Sequence, residues 1–169
     1  HVKQSGSLVE PDHLRFDFTH FKDVNDEELD KIQYLLNEYI RSNDKVSIEI
    51  LEKDKALKSG AIALFGEKYG DSVRVVSMGD NSKEFCGGTH LDYTGNILVA
   101  LINSESSTGS GLRRIDAYTG ILAQEKLKDS FNKLKSISAV LNTQTENALE
   151  AVEAVIGKNK KLKKAVTQL

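Results

Sequence analysis

The sequence is poor in cysteine, and this scarcity already excludes one class of fold. Cys86 is the only cysteine among 169 residues, so no disulfide can form within the chain. No basic segment followed by an apolar run opens the sequence, as it would in a secretory signal peptide. Proline and methionine occur once each and tryptophan not at all. We therefore predict a protein of a reducing compartment, the cytoplasm.

Long hydrophobic runs are also missing. The longest, at 97–102, is far shorter than the roughly 20 residues that cross a bilayer, which predicts no membrane span. Apolar residues make up 39% of the chain and charged residues 28%, with a net charge of −2, as in globular proteins. This balance does not exclude RNA, because a protein that contacts one part of an RNA needs only a local basic patch.

The N-terminal half predicts strands and one helix. Residues 14–20 alternate apolar and polar side chains, which is typical of a strand with one buried face. Asn25 and Glu28 form a capping-box pattern ahead of apolar residues at helical spacing, so we predict a helix from about Asp26 to Ser42. The stretch at 4–7 is polar and turn-like, and because the chain begins with His1 we expect a piece of a longer protein.

The following residues predict an α+β fold with an antiparallel or mixed sheet and packed helices. Runs at 46–51, 72–78 and 96–103 have strand character, and 56–63 is a short helix or turn. The segment 104–111, SESSTGSG, predicts a loop ahead of 112–118.

After Gly120 the composition becomes helix-forming, so we predict a body at 1–120 and a helical arm at 121–169. The arm carries a short heptad seam: Val152, Asn159, Val166, Val155, Leu162 and Leu169. The seam favours a helical hairpin or a dimer contact. A solvated helix with a basic face is an equally good interpretation, the basic residues being Lys158, Lys160, Lys161, Lys163 and Lys164.

Cys86-Gly87-Gly88-Thr89-His90 is the strongest chemical motif. The glycines let the chain turn tightly enough for thiol and imidazole to reach one metal ion, and this pair suits zinc. Two ligands are fewer than zinc uses, so a small buried cysteine is an alternative. A cysteine nucleophile activated by His90 is a third, although no orienting group is evident.

Other polar residues have ordinary structural explanations beside functional ones. Arg113 and Arg114 could bind a phosphate or terminal nucleotide, or one could pair with a carboxylate such as Asp116. The sequence alone does not separate the two roles for the remaining candidates, which are Gln4, Arg15, Asp17, His20 and Glu84.

Four stretches in this order resemble the editing domain of alanyl-tRNA synthetases: GSLVEPDHLRFDFTHF at 6–21, ALFGEKYGDSVRVVSMGD at 63–80, EFCGGTH at 84–90 and LRRIDAYTG at 112–120. CGGTH alone also fits threonyl-tRNA synthetase and free-standing alanyl editing proteins. The second and fourth stretches and the helix that follows favour the alanyl enzyme.

The resemblance implies hydrolysis of the ester in seryl-tRNA or glycyl-tRNA mischarged on alanine-specific tRNA. In that family zinc is held by an HxxxH pair, which this sequence lacks, and by residues matching Cys86 and His90. Gln4 matches a glutamine near the scissile ester, which would position substrate or water. We assign to substrate or tRNA binding Gln4, Gly87, Gly88, Thr89, Arg113 and Arg114.

The resemblance further implies the acceptor end of alanine-specific tRNA as partner. ATP would be used only by a catalytic domain that has no counterpart in this sequence. A different hypothesis is a non-catalytic fragment that binds tRNA or oligomerises, with a dimer formed through the C-terminal helix.

Overall fold

A computed structural model describes residues 2–63 and 69–167. His1, Leu169 and most of the FGEKYGD stretch lie outside the described residues. The chain divides into two compact units, 1–124 and 125–169. The predicted boundary near Gly120 falls at the first residue of the helix that leads from one unit to the other.

The first unit contains two antiparallel sheets and packed helices, which confirms the predicted α+β class. The four-stranded sheet has the order β1-β2-β7-β6, and the three-stranded sheet has the order β3-β4-β5. The strands are β1 (Gln4–Val9), β2 (Leu14–Thr19), β3 (Val46–Glu52), β4 (Ser72–Met78), β5 (Ser82–Phe85), β6 (Ala100–Gly109) and β7 (Leu112–Thr119).

The described residues form four α-helices: α1 (Asp26–Arg41), α2 (Lys53–Lys58), α3 (Gly120–Val140) and α4 (Ala148–Thr167). The predicted capping box of α1 is confirmed, because the Asn25 side chain accepts from the Glu28 N–H and the Glu28 carboxylate accepts from the Asn25 N–H. The arm consists of two helices, since α3 ends at Val140 and the chain turns through Asn142 at φ 52°.

The hydrophobic core of the three-stranded sheet explains why its strands assemble. Val73 and Val75 of β4 and Phe85 of β5 are buried against Ala56 of α2 and Ala61. Tyr69 meets the Phe85 ring edge-on at 5.1 Å. This packing fixes the end of β5, and with it the starting point of the Cys86 turn.

The predicted loop at 104–111 is wrong. Residues through Gly109 belong to β6 and pair with β7, with bulges between Ile102 and Ser104 and between Ser107 and Gly109. The ladder supplies partners for the backbone, which outweighs the turn preference of serine and glycine. The turn itself is confined to 110–111, where Gly111 has φ 70°.

The turn-like interpretation of 4–7 is also wrong, because these residues begin β1 and pair with β2. A bulge between Gln4 and Gly6 accommodates the local irregularity that the sequence suggested. Residues 96 and 97 lie in a short 3-10 helix, so the strand predicted at 96–103 begins only at Ala100.

Helix α1 covers the outer edge of β6 with side-chain amides. Asn37 donates to the Ala100 carbonyl at 2.8 Å and accepts from the Ala100 N–H at 2.9 Å. Gln33 accepts from the Ile102 N–H at 2.6 Å. These three bonds take the place of a neighbouring strand along the first residues of β6.

Candidate metal centre

The Cys86–His90 turn begins directly after β5. The Cys86 sulfur lies 3.2 Å from Nε2 of His90, and both side chains are half-buried. Gly87, Gly88 and Thr89 between them are exposed. The structure therefore brings together the thiol and imidazole that the sequence singled out, with an open rim between them.

Arg74 of β4 holds this turn in place. Its guanidinium donates from Nη1 to the carbonyls of Cys86 at 2.6 Å and Gly88 at 2.7 Å. In return the Cys86 N–H donates to the Arg74 carbonyl at 3.1 Å. The sequence analysis did not single out Arg74. Its position between Val73 and Val75, as the one cation of an apolar strand, could have marked it.

Electrostatics around the turn favour neutral imidazole. Burial lowers the pKa of His90, the charge of Arg74 lowers it further, and Glu84 partly opposes both. A neutral ring is the form that binds a metal ion.

The spacing of the two atoms fits zinc. Ligands at about 2.3 Å for sulfur and about 2.1 Å for nitrogen stand roughly 3.6 Å apart in a tetrahedral site. The observed 3.2 Å needs only a small opening of the turn. Soft sulfur beside imidazole is also the donor set that zinc prefers over magnesium or calcium.

Gln4 lies on a different sheet, in edge strand β1, and is half-buried. Its side-chain amide donates to the Ser7 hydroxyl at 3.1 Å. The structure gives Gln4 this local partner, and its assignment to the substrate site stays a prediction.

Both predicted phosphate-binding arginines are engaged with carboxylates. Arg114 makes a two-bond contact with Asp17, at 2.7 and 2.9 Å. Arg113, 12% exposed, pairs with Glu105, 6% exposed, and with Asp23 at 2.7 Å. The expected pairing of one arginine with Asp116 is replaced by pairs to other carboxylates.

The Asp17–Arg114 pair also accounts for two perturbed groups. The hydrogen bond from Arg114 lowers the pKa of Asp17, and the same bond raises the pKa of Arg114. Arg15 adds a weaker contact, its Nε lying 3.7 Å from the Asp17 carboxylate. Asp17 is therefore a structural anion between β2 and β7.

A second cluster of possible ligands lies at the turn between β1 and β2. Ligand atoms of Glu10, Asp12 and His13 all lie within 4.8 Å of one another. The Asp12 carboxylate bonds Nδ1 of His13 at 2.9 Å and raises the pKa of that ring. Because the raised pKa makes a metal ion compete with a proton for this ring, the cluster is a weaker candidate than the Cys86 turn.

The β4–β7 region carries a known family signature. Residues 73–116 match the family described as the threonyl and alanyl tRNA synthetase second additional domain. That segment contains Arg74, Cys86, His90 and both arginines of β7. The fold and the turn therefore define a tRNA-synthetase accessory domain.

The whole chain resembles alanine–tRNA ligases. It is 46% identical over 169 residues to the ligase of Pseudoalteromonas translucida, covering 100% of this chain and 20% of that protein. It is 47% identical over 167 residues to the ligase of Saccharophagus degradans, covering 98% and 19%. It is 47% identical over 171 residues to that of Desulforamulus reducens, covering 100% and 19%.

The chain is thus similar over its whole length to a part of alanyl-tRNA synthetases, as predicted, and spans about a fifth of the length of the relatives it matches. In the part of the chain that the structure describes, no helix is long and apolar enough to span a bilayer.

Proposed function

We propose that this chain serves, within an alanyl-tRNA synthetase, to hydrolyse the ester that links serine or glycine to alanine-specific tRNA. The observation that carries the proposal is the 3.2 Å approach of the Cys86 thiol to the His90 imidazole. The family match around this turn supports the substrate class. Such hydrolysis corrects errors that an active site for small amino acids cannot prevent by binding alone.

In this proposal Cys86 and His90 supply two ligands of a zinc ion. Zinc at catalytic sites uses three protein ligands, so further donors are required from outside this pair, in line with the HxxxH pair of the family. When bound, zinc supplies a Lewis acid that can orient the substrate amino group or the attacking water.

The chain's own residues then hold and orient the substrate. Arg74 fixes the backbone of the turn, so that the thiol and imidazole keep a common direction. The exposed backbone at Gly87 and Gly88 and the Thr89 hydroxyl form the rim on which the terminal adenosine would rest. Gln4 would position substrate or water, because an amide does not titrate and cannot act as acid or base.

The proposal places the protein in the cytoplasm with the acceptor end of alanine-specific tRNA as partner. ATP belongs to the aminoacylation reaction of the longer enzyme and has no assigned residue in this chain. Arg113 and Arg114 already hold carboxylate partners, which makes them the weakest members of the proposed binding set.

The test is hydrolysis of seryl-tRNA together with zinc content, for the chain alone and within a protein of the relatives' full length. Wild-type full-length protein should deacylate and bind about one zinc, and Cys86→Ala and His90→Ala should lose both. Ser107→Ala, an exposed change on β6, is the matched control and should retain both. Full activity in Cys86→Ala would refute the proposal.

The same contact supports a second candidate, in which the Cys86 sulfur attacks the ester carbonyl and forms a thioester, while the C–O bond to the tRNA breaks. His90 takes the thiol proton and passes it to the departing tRNA hydroxyl, and water then hydrolyses the thioester to free amino acid. The two candidates differ in their response to chelation. A zinc-dependent enzyme loses activity to a chelator and regains it with added zinc, whereas a thiol nucleophile survives chelation and is lost to alkylation.

A non-catalytic role remains as the alternative from another class. The seam of α4 is exposed, with Val155, Leu162 and Val166 at 52%, 67% and 71% exposure, which supports pairing with a second copy. Sedimentation of the chain would reveal a dimer, and Leu162→Lys should dissolve it. A monomer at all concentrations would rule out oligomerisation and leave tRNA binding as the non-catalytic role.

A further inference from the structure

The C-terminal half of α4 carries a concentrated positive charge. Five lysines fall within seven residues, from Lys158 to Lys164. Every residue from Glu153 to Thr167 is exposed. Among the described residues no carboxylate forms an ion pair with any of the five, whereas Lys133 of α3 pairs with Asp129 at 2.7 Å.

The spacing of these lysines makes the charge self-repelling. Lys158 and Lys161 are three apart, as are Lys161 and Lys164, and Lys160 stands four from Lys164. Like charges at these helical spacings destabilise a helix. The helix dipole favours cations near a C-terminus, but only Lys164 lies in the last turn. A bound polyanion would relieve this repulsion.

We propose that this basic face of α4 binds the phosphate backbone of tRNA. The proposal rests on the proposed function for the identity of its partner and adds a second contact with it. Lys160, Lys161 and Lys164 lie within about 100° of one another around the helix axis and within about 6 Å along it, so this face presents about one positive charge per 2 Å. Duplex nucleic acid carries about one negative charge per 1.7 Å of axis, a closely matched density.

The other side of α4 remains compatible with this contact. At about 3.6 residues per turn, Val155, Leu162 and Val166 share one face and the lysines occupy the rest of the circumference. A helix that lies on a membrane usually inserts bulky aromatic or leucine side chains. Helix α4 contains Leu149 and Leu162 but no aromatic residue, so it lacks the aromatic anchors of such a helix, which favours RNA over a lipid surface.

The proposed contact is electrostatic and does not depend on the RNA sequence, so its affinity should fall as the salt concentration rises. We would measure fluorescence anisotropy of labelled alanine-specific tRNA, and of a short RNA duplex, across a salt series. The test variant is Lys160→Gln, Lys161→Gln and Lys164→Gln in the complete chain. Glutamine has nearly the helix propensity of lysine, and circular dichroism checks that α4 persists.

The matched control removes the same charge from α3, through Lys128→Gln, Lys133→Gln and Lys135→Gln. In the test variant the affinity for both RNAs should fall by roughly tenfold at low salt, and the slope of log K against log salt should shrink by about 2 to 3. The control should stay within about twofold of wild type.

Equal losses in both variants would overturn the proposal, because net charge would then explain them. An unchanged test variant, or binding of the chain to anionic phosphatidylserine vesicles but not to RNA, would overturn it as well. In the full-length enzyme the test variant should raise KM for seryl-tRNA and leave kcat unchanged. RNA binding without any deacylation would refute only the proposed function and leave this contact standing.

Discussion

Two polar regions of the first unit invite comparison: the Cys86–His90 turn and the arginine pair of β7. Both attract attention in the sequence, yet their side chains are used differently. Arg113 forms ion pairs with Glu105 and Asp23, and Arg114 forms one with Asp17. The thiol and imidazole lie 3.2 Å apart beside an exposed rim, and in the described part of the chain neither forms an ion pair with a carboxylate. Polar groups that are already paired stabilise a fold, and those with remaining capacity are available for chemistry.

The largest effect is expected from removing the Cys86 thiol. Cys86→Ala should abolish zinc binding and reduce seryl-tRNA hydrolysis by the full-length enzyme to the uncatalysed rate, because the site loses a ligand. It should alter the free energy of unfolding of the metal-free protein by less than about 1.5 kcal/mol, since Cys86 is only half-buried. Elemental analysis and urea unfolding measure the two effects. A variant that is strongly destabilised but still active would show that Cys86 has a structural role and not a functional one.

The next largest effect is expected at the arginine pair. Glu105→Ala should destabilise the protein by about 3 kcal/mol, because it leaves the mostly buried Arg113 with one exposed partner, Asp23. Urea unfolding gives the value. Asp129→Ala, which breaks an exposed pair with Lys133, is the control and should cost below about 1 kcal/mol. Equal costs would mean that burial does not distinguish the pairs.

Arg74 combines a structural and a functional role. Its hydrogen bonds stabilise the backbone of the turn, and this backbone carries Cys86 and His90. Arg74→Met should weaken zinc binding by about 10-fold to 100-fold, as loss of supporting hydrogen bonds does at other metal sites. Competition with a chromophoric chelator measures the affinity, and Arg74→Lys should restore part of it. Loss of stability without a change in zinc affinity would contradict a positioning role.

The smallest effect concerns pH. The pKa of Asp17 is lowered by Arg114, so its stabilisation is complete above the carboxyl's ordinary pKa and is lost as pH falls through the lowered value. Asp17→Asn should cost about 1.5 kcal/mol at pH 7, and this cost should shrink as pH falls below the carboxyl's ordinary pKa. Urea unfolding from pH 7 to pH 2 tests this. A constant difference between wild type and variant would show that the charge of Asp17 is irrelevant.

The sequence predicted elements where local signals and packing agree. The capping box at Asn25 and the β-branched run at 72–78 are two such cases. It failed at 4–7 and 104–111, because serine and glycine favour turns locally while strand pairing across the sheet decides the outcome. Cys86 and His90 were found because their chemistry is unusual. Arg74 was missed because its importance lies in two carbonyls twelve and fourteen residues away.

The amide side chains of α1 have a consequence for self-association. Asn37 and Gln33 bond to the backbone of Ala100 and Ile102. These backbone groups therefore cannot pair with a strand from another molecule. The protection is a property of tertiary assembly, since both amides arrive on a helix distant in sequence from the strand that they shield. A folding intermediate in which α1 has formed but not docked would expose this edge as a template for intermolecular pairing, so helix docking also guards against aggregation.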